Sequence, residues 1–313
     1  MSDSLHLPDS MALLPEETMG VLRRMEWLAR KRKQGTLTGK HTSPDKGFSV
    51  EFAEHREYSP GDDPRNLDWR VMAKNDRNVI KQYIEETNLR VTFAVDVSGS
   101  MQYQGEQAAE IDGTARSKFD YARYLTAALS YLYIKQGDGA GLVTFDTEIR
   151  SRLRAVSRPS QVRRILDTLW ESKTGTDTDV STVLHEVAEQ IPRRGLVIII
   201  SDFFDDPQKM IEALHHFDFR QHELVLFHVL AEEELTFPFK DFQQFRDLEK
   251  VEPMLKIDPQ AVRAAYLERL RSFVKSMDAA AGNLRADYVP VTTKTPLRDT
   301  LIRYLGRRMH AQR

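Results

Sequence analysis

The chain has 313 residues, of which 41% are hydrophobic and 29% charged, and a net charge of −2. This is a globular composition, long enough for one large α/β domain with additions or for two small domains, and it gives no global charge to attract nucleic acid or an anionic membrane. The absence of cysteine excludes a disulfide framework, a thiolate zinc site and a cysteine nucleophile, and fits a reducing cytosol.

Residues 1–14 read as a loose tail without the basic and apolar regions of a signal peptide. No apolar run approaches the roughly 18–20 residues of a membrane span, so the expected location is the cytoplasm. Residues 15–34 read as a helix: Pro15 suits a first helical position, and Met19, Leu22, Met25 and Ala29 recur at helical spacing. Its basic end, Arg30 to Lys33, complements the helix dipole. Phe48, Val50 and Phe52 then alternate with polar residues as in a strand, and Pro60-Gly61-Asp62-Asp63-Pro64 signals a turn. Leu67 to Ala73 and Asn78 to Ile84 each read as extended. Residues 1–89 are thus expected to form an N-terminal helix with a strand-rich extension packed on a main domain at 90–313.

From residue 90 the pattern is regular. Strands are predicted over 90–95, 140–145, 196–201, 223–230 and 286–291, with an antiparallel edge over 148–153. Helices are predicted over 116–136, 158–171, 178–191, 207–217, 259–281 and 297–309. Such alternation implies a doubly wound, mostly parallel sheet of Rossmann-like topology, with the strand C-terminal ends on one rim. Ligands of such sheets sit on that rim, at the switch in strand order.

Three segments fall there: Asp96-Val97-Ser98-Gly99-Ser100 after the first buried strand, Thr174-Gly175-Thr176-Asp177 before a helix, and Ser201-Asp202 after the most apolar strand. Mg²⁺ takes six oxygens in near-octahedral geometry. Asp96, Ser98 and Ser100 can aim three oxygens at one point, Thr176 can add a fourth, and Asp202 can bind through water or anchor the other ligands. Three of these five are neutral hydroxyls, so the ion would favour one more anionic ligand from a partner. Singly, each segment reads equally as a helix cap or a turn; the combination makes a metal site.

These motifs resemble the metal-ion-dependent adhesion site of von Willebrand factor type A domains. Asp96, Ser98 and Ser100 match the first motif, Thr176 the second and Asp202 the third; Phe203 stands where the family often has glycine. The resemblance implies that the hydroxyls bind the metal directly and the aspartates through water. Mg²⁺ is the expected ion, with Mn²⁺ and Ca²⁺ as alternatives. The string from Gly47 through Arg56-Glu57-Tyr58 and Pro60 to Arg65, then Asp68-Trp69-Arg70, is similar to the bacterial family called domain of unknown function fifty-eight. That resemblance implies a non-enzymatic, chaperone-like role beside a MoxR-type AAA+ ATPase or an acidic client segment. The Arg56–Arg70 stretch itself has two open readings. One is structural, with Trp69 buried and Asp62, Asp68, Arg56, Arg65 and Arg70 pairing. The other is a docking surface.

The rival enzyme reading is metal-dependent phosphoryl transfer through Asp96. It lacks the second aspartate two residues on, where Ser98 stands. No Walker-type loop or His-Glu-x-x-His motif occurs. Nucleic-acid binding through residues 30–33 lacks interleaved aromatic and basic residues.

Overall fold

The computed structural model describes residues 19–20, 22–23, 50–59, 67–75, 78–85, 89–109, 117–175, 179–192, 194–239, 243–245 and 255–311. The expected tail over 1–14, the turn at 60–64 and Thr176 lie outside them. The chain divides into two compact units, Met1–Gln34 with Leu89–Arg313, and Gly35–Asn88. Residues 19–20 and 22–23 are helical, and Met19 and Leu22 join the larger unit's core. The N-terminal stretch therefore groups with the main domain, whereas the sequence pattern grouped it with the rest of 1–89.

The smaller unit pairs β1 (Val50–Glu57) with β2 (Val79–Glu85) in an antiparallel ribbon, the register slipping by one residue between Phe52 and Glu54. Between them lies α1 (Trp69–Asn75), a helix where an extended segment was expected. Asp68 explains the difference. Its side chain accepts from the Val71 N–H and its carbonyl from the Met72 N–H, closing a first helical turn. Trp69 is 62% exposed, which corrects the expectation that it is buried.

The larger unit runs β3 (Arg90–Asp96), α2 (Lys118–Lys135), β4 (Gly139–Phe145), β5 (Ile149–Val156), α3 (Pro159–Glu171), α4 (Val180–Gln190), β6 (Gly195–Ser201), α5 (Pro207–Phe219) and β7 (His222–Leu230). Then come a short α6 (Glu232–Thr236), the small antiparallel pair β8 (Gln243–Phe245) and β9 (Leu255–Ile257), α7 (Pro259–Asn283), β10 (Asp287–Thr292) and α8 (Leu297–Ala311). The main sheet has the order β10-β7-β6-β3-β4-β5, parallel except for β5. This is the expected doubly wound fold. β3 lies at its centre, and strand order reverses between β3 and β6.

Both faces are covered, so the central strands are apolar throughout. Val91, Phe93 and Val95 face α2, α3 and α8 in one core, while Ala94, Val197 and Ile199 face α4, α5 and α7 in the other. The edges differ. On β5, Arg150, Arg152 and Arg154 alternate as exposed residues, and β10 carries Pro290. A side chain on Gly141 would lie 2.7 Å from Ala155 N and Leu153 O, so the β4–β5 register irregularity there needs glycine. Among the described residues no helix is long and apolar enough to cross a membrane.

Candidate metal centre at the sheet rim

β3 ends at Asp96 and β6 at Ser201, side by side across the strand-order switch. Their register fixes the two loops that follow. Val97 N donates to Phe145 O at 2.8 Å, and buried Met101 anchors the 3-10 turn Ser100–Gln102. Gly175 N donates to Val97 O at 2.7 Å, fastening the residue before Thr176 to the first loop. A Cβ on Gly175 would fall 2.4 Å from Asp146 Oδ2, so any larger residue here must displace that carboxylate, which Arg150 holds at 2.8 Å. At the next turn, Asp179 caps α4 by accepting from Thr182 N, and Ser181 N donates to Asp205 Oδ2 at 2.9 Å. The start of α4 is thereby tied to the loop after β6.

Four of the five predicted residues are described, and they come together at the rim. Asp96, Ser98 and Asp202 are buried and Ser100 is half-buried. The Ser98 and Ser100 hydroxyls are hydrogen-bonded to each other, their oxygens 3.0 Å apart. Neighbouring oxygens around an octahedral Mg²⁺ at 2.0–2.1 Å are about 2.9 Å apart, so the pair matches one edge of such a shell. Both aspartates are already engaged. Asp96 Oδ1 accepts from Ser98 N at 2.8 Å, and Oδ2 from Ser201 Oγ at 2.5 Å. Asp202 Oδ1 accepts from Phe204 N at 3.3 Å, and Oδ2 from Lys118 Nζ at 2.6 Å. Two converging hydroxyls backed by carboxylates that other donors orient form a donor set suited to a hard cation whose aspartates act at one remove. Among the described residues no three His, Asp or Glu gather to hold a metal by themselves.

Lys118 is the residue the sequence pattern missed. Its ammonium also reaches Glu234 Oε1 at 2.9 Å, and its side chain is 2% exposed. Ser117 places it there, because a capping box between Ser117 and Asp120 starts α2 at the rim. The signal was present: a lysine in the first helical turn opposes the helix dipole unless carboxylates pair with it. Sharing one ammonium, neither Asp202 nor Glu234 presents a fully uncompensated charge.

These contacts split the two aspartates. Burial, then the neighbouring Asp202 charge, pushes Asp96 up to about 7 against its ordinary 3.8, overriding the hydrogen bonds that favour its charged form. Burial pushes Asp202 the same way, but Lys118 outweighs it and holds Asp202 below the usual carboxylate range. Lys118 rises, since the two carboxylates outweigh its own burial. Behind them His228 donates to or accepts from Tyr288 Oη through Nδ1 at 2.5 Å, and burial pushes it down to about 4.

The loop after β6 is strained. Phe203 has φ 50°, a left-handed conformation that glycine takes freely and that costs other residues on the order of 1–3 kcal/mol. Its ring is fully buried and stands edge-on to His228, centroids 5.5 Å apart, so packing holds the turn. The substitution noted against the glycine of the resembled motif therefore keeps a glycine-like backbone.

A family model described as "Protein of unknown function DUF58" matches residues 54–274. The uncharacterized protein Mb1516 of Mycobacterium bovis is 27% identical over 277 residues, covering 85% of this chain and 84% of its own. The uncharacterized protein Rv1480 of Mycobacterium tuberculosis gives the same figures. Among solved structures, the conserved hypothetical protein BatB from Bacteroides thetaiotaomicron is similar at 15% identity and a TM-score of 0.42, over 71% of this chain and all of that one. The SpRpn10 VWA domain is similar at 10% identity and a TM-score of 0.38, over 69% of this chain and 95% of that one.

Proposed function

The chain belongs to the family of proteins of unknown function DUF58, and from the chemistry of its rim we propose that it is a protein-interaction module that grips its partner through a divalent cation. Ser98 and Ser100, joined by Thr176, would hold Mg²⁺, and Asp96 and Asp202 would orient its water ligands. The bound ion supplies one electrostatic attachment point for a carboxylate from outside. The observation that carries this reading is the 3.0 Å hydroxyl pair of Ser98 and Ser100 beside two carboxylates that protein donors already orient. Hydroxyls neutralise no charge, and Lys118 compensates Asp202, so the ion retains an appetite for an anion.

The same contacts weigh against phosphoryl transfer. Asp96 is 0% exposed, and both its carboxylate oxygens accept hydrogen bonds, which leaves no free, accessible nucleophile. The partner suggested by the family resemblance is a MoxR-type AAA+ ATPase or an acidic client segment, met in the cytoplasm during remodelling of other proteins. Isothermal titration of Mg²⁺ into the parent and into a Ser98→Ala/Ser100→Ala variant tests the site. Pull-down of a co-expressed MoxR-type ATPase with and without chelator tests the grip. Equal Mg²⁺ affinity in the two proteins would remove the metal from the proposal, and chelator-insensitive capture would remove the metal from the grip.

A further inference from the structure

The large apolar side chains exposed among the described residues are Trp69, Phe204, Phe219, Leu235 and Ile302. Phe204 sits on the loop that carries Asp202. It is 68% exposed, yet its backbone N–H donates to Asp202 Oδ1.

Its exposure follows from how the turn is built. Phe203 turns inward with positive φ, and its N–H donates to Ser201 Oγ at 2.8 Å. Asp205 N donates back to Phe203 O at 2.8 Å. Asp205 in turn accepts from Ser181, and Asp206 caps α5 through the N–H groups of Gln208 and Lys209. The phenyl ring of Phe204 is thus presented to solvent on a turn braced from both sides. The strain falls on Phe203, whose ring packs in the core, while the Phe204 ring beside it stands in water and contributes nothing to the core; strained turns of this kind cluster at ligand-binding sites. On the other side of the rim a cleft of about 370 Å³ is lined by Val97, Gly175, Asp146, Arg150, Glu171 and Lys173.

We infer that Phe204 is a specificity contact, and that the partner segment bears an acidic residue with an aliphatic or aromatic residue next to it, the apolar one lying against Phe204. The inference rests on the metal-grip reading above. A carboxylate drawn to Ser98 and Ser100 brings its neighbours across the Asp202 loop on one side and across the charged cleft on the other. An apolar neighbour gains by covering the Phe204 ring.

The test is panning of a phage-displayed random heptapeptide library on the full chain in Mg²⁺, with elution by EDTA. Eluted peptides are expected to contain Asp or Glu with an apolar residue within two positions. Against Phe204→Ser, the same peptides should bind about tenfold more weakly by fluorescence polarisation while still requiring Mg²⁺. Phe204→Leu should stay within about threefold of the parent, which separates lost contact from lost fold. Acidic peptides without an apolar neighbour, or equal affinity for parent and Phe204→Ser, would overturn this inference and leave the metal grip standing. A failure to elute any acidic peptide with EDTA would overturn the metal grip, and the role of Phe204 with it.

Discussion

Replacing Lys118 by methionine keeps most of the aliphatic volume and deletes one charge. In the folded protein that charge is 2.6 Å from an Asp202 side chain that is 3% exposed, and 2.9 Å from a Glu234 side chain that is 23% exposed. The Asp202 contact has almost no solvent screening, whereas the Glu234 contact is partly screened and adds less. Removing one partner of a buried ion pair leaves an uncompensated charge and costs about 3–5 kcal/mol. That is a large fraction of a typical domain stability of about 5–15 kcal/mol. Urea denaturation in chelator, followed by far-UV circular dichroism, should show the loss as a lower midpoint at unchanged slope. Adding Asp202→Asn to Lys118→Met should restore part of it, because the orphaned charge is then gone. Mg²⁺ should stabilise Lys118→Met more than the parent. A loss below about 1 kcal/mol, with no recovery on Asp202→Asn, would refute the buried pair and the charge balance built on it.

Asp96 and His228 give opposite pH slopes in metal-free protein. Asp96 titrates near 7 when folded against 3.8 otherwise, so the folded form binds more protons in that window and stability falls as pH rises. His228 titrates near 4 when folded against 6.5, so its contribution rises with pH. Between about pH 4 and 6.5 the two oppose each other. Asp96→Asn should therefore unmask a rising slope and His228→Gln a falling one, each up to about 1.4 kcal/mol per pH unit in urea titrations; parallel profiles for the two variants would contradict the assignment. At position 203 the usual preference should invert: Phe203→Ala should lose about 3–5 kcal/mol, and Phe203→Gly about 1 kcal/mol less, because φ is 50°. Gly175→Ala should weaken Mg²⁺ binding at least tenfold by calorimetry, since its Cβ would meet Asp146 at 2.4 Å and push the second loop from Val97; unchanged affinity would show that this loop does not serve the site.

Much of the fold was legible because the central strands are buried on both faces and so stand out as apolar runs ending in Asp96 and Ser201. Asp96, Ser98, Ser100 and Asp202 could be placed on one rim because strand ends, unlike loop shapes, follow from topology. The misses share a different cause. Leu67, Trp69, Val71 and Ala73 alternate like a strand over a span too short for a helical period to appear, and one side chain, Asp68, decides the conformation. Lys118 lies 84 residues from Asp202 and 116 from Glu234, and only the approach of the β6 loop and of α6 to α2 brings both carboxylates to one ammonium. No local pattern carries a contact of that range. Thr176 lies outside the described residues, so its place in the site remains part of the proposal.

The two outermost strands of the main sheet bear on how any partner can approach. An unpaired strand edge is a template onto which another chain can add a strand. β5 lines its edge with Arg150, Arg152 and Arg154, whose like charges would repel a second copy laid alongside. β10 carries Pro290, which lacks the N–H that a ladder uses. Growth of the sheet is discouraged at both ends. These guards keep copies of the chain from polymerising edge to edge, whereas the β5 arginines would not repel an acidic segment. What is left are the loops over the strand tips, where geometry can be set side chain by side chain without reopening the core.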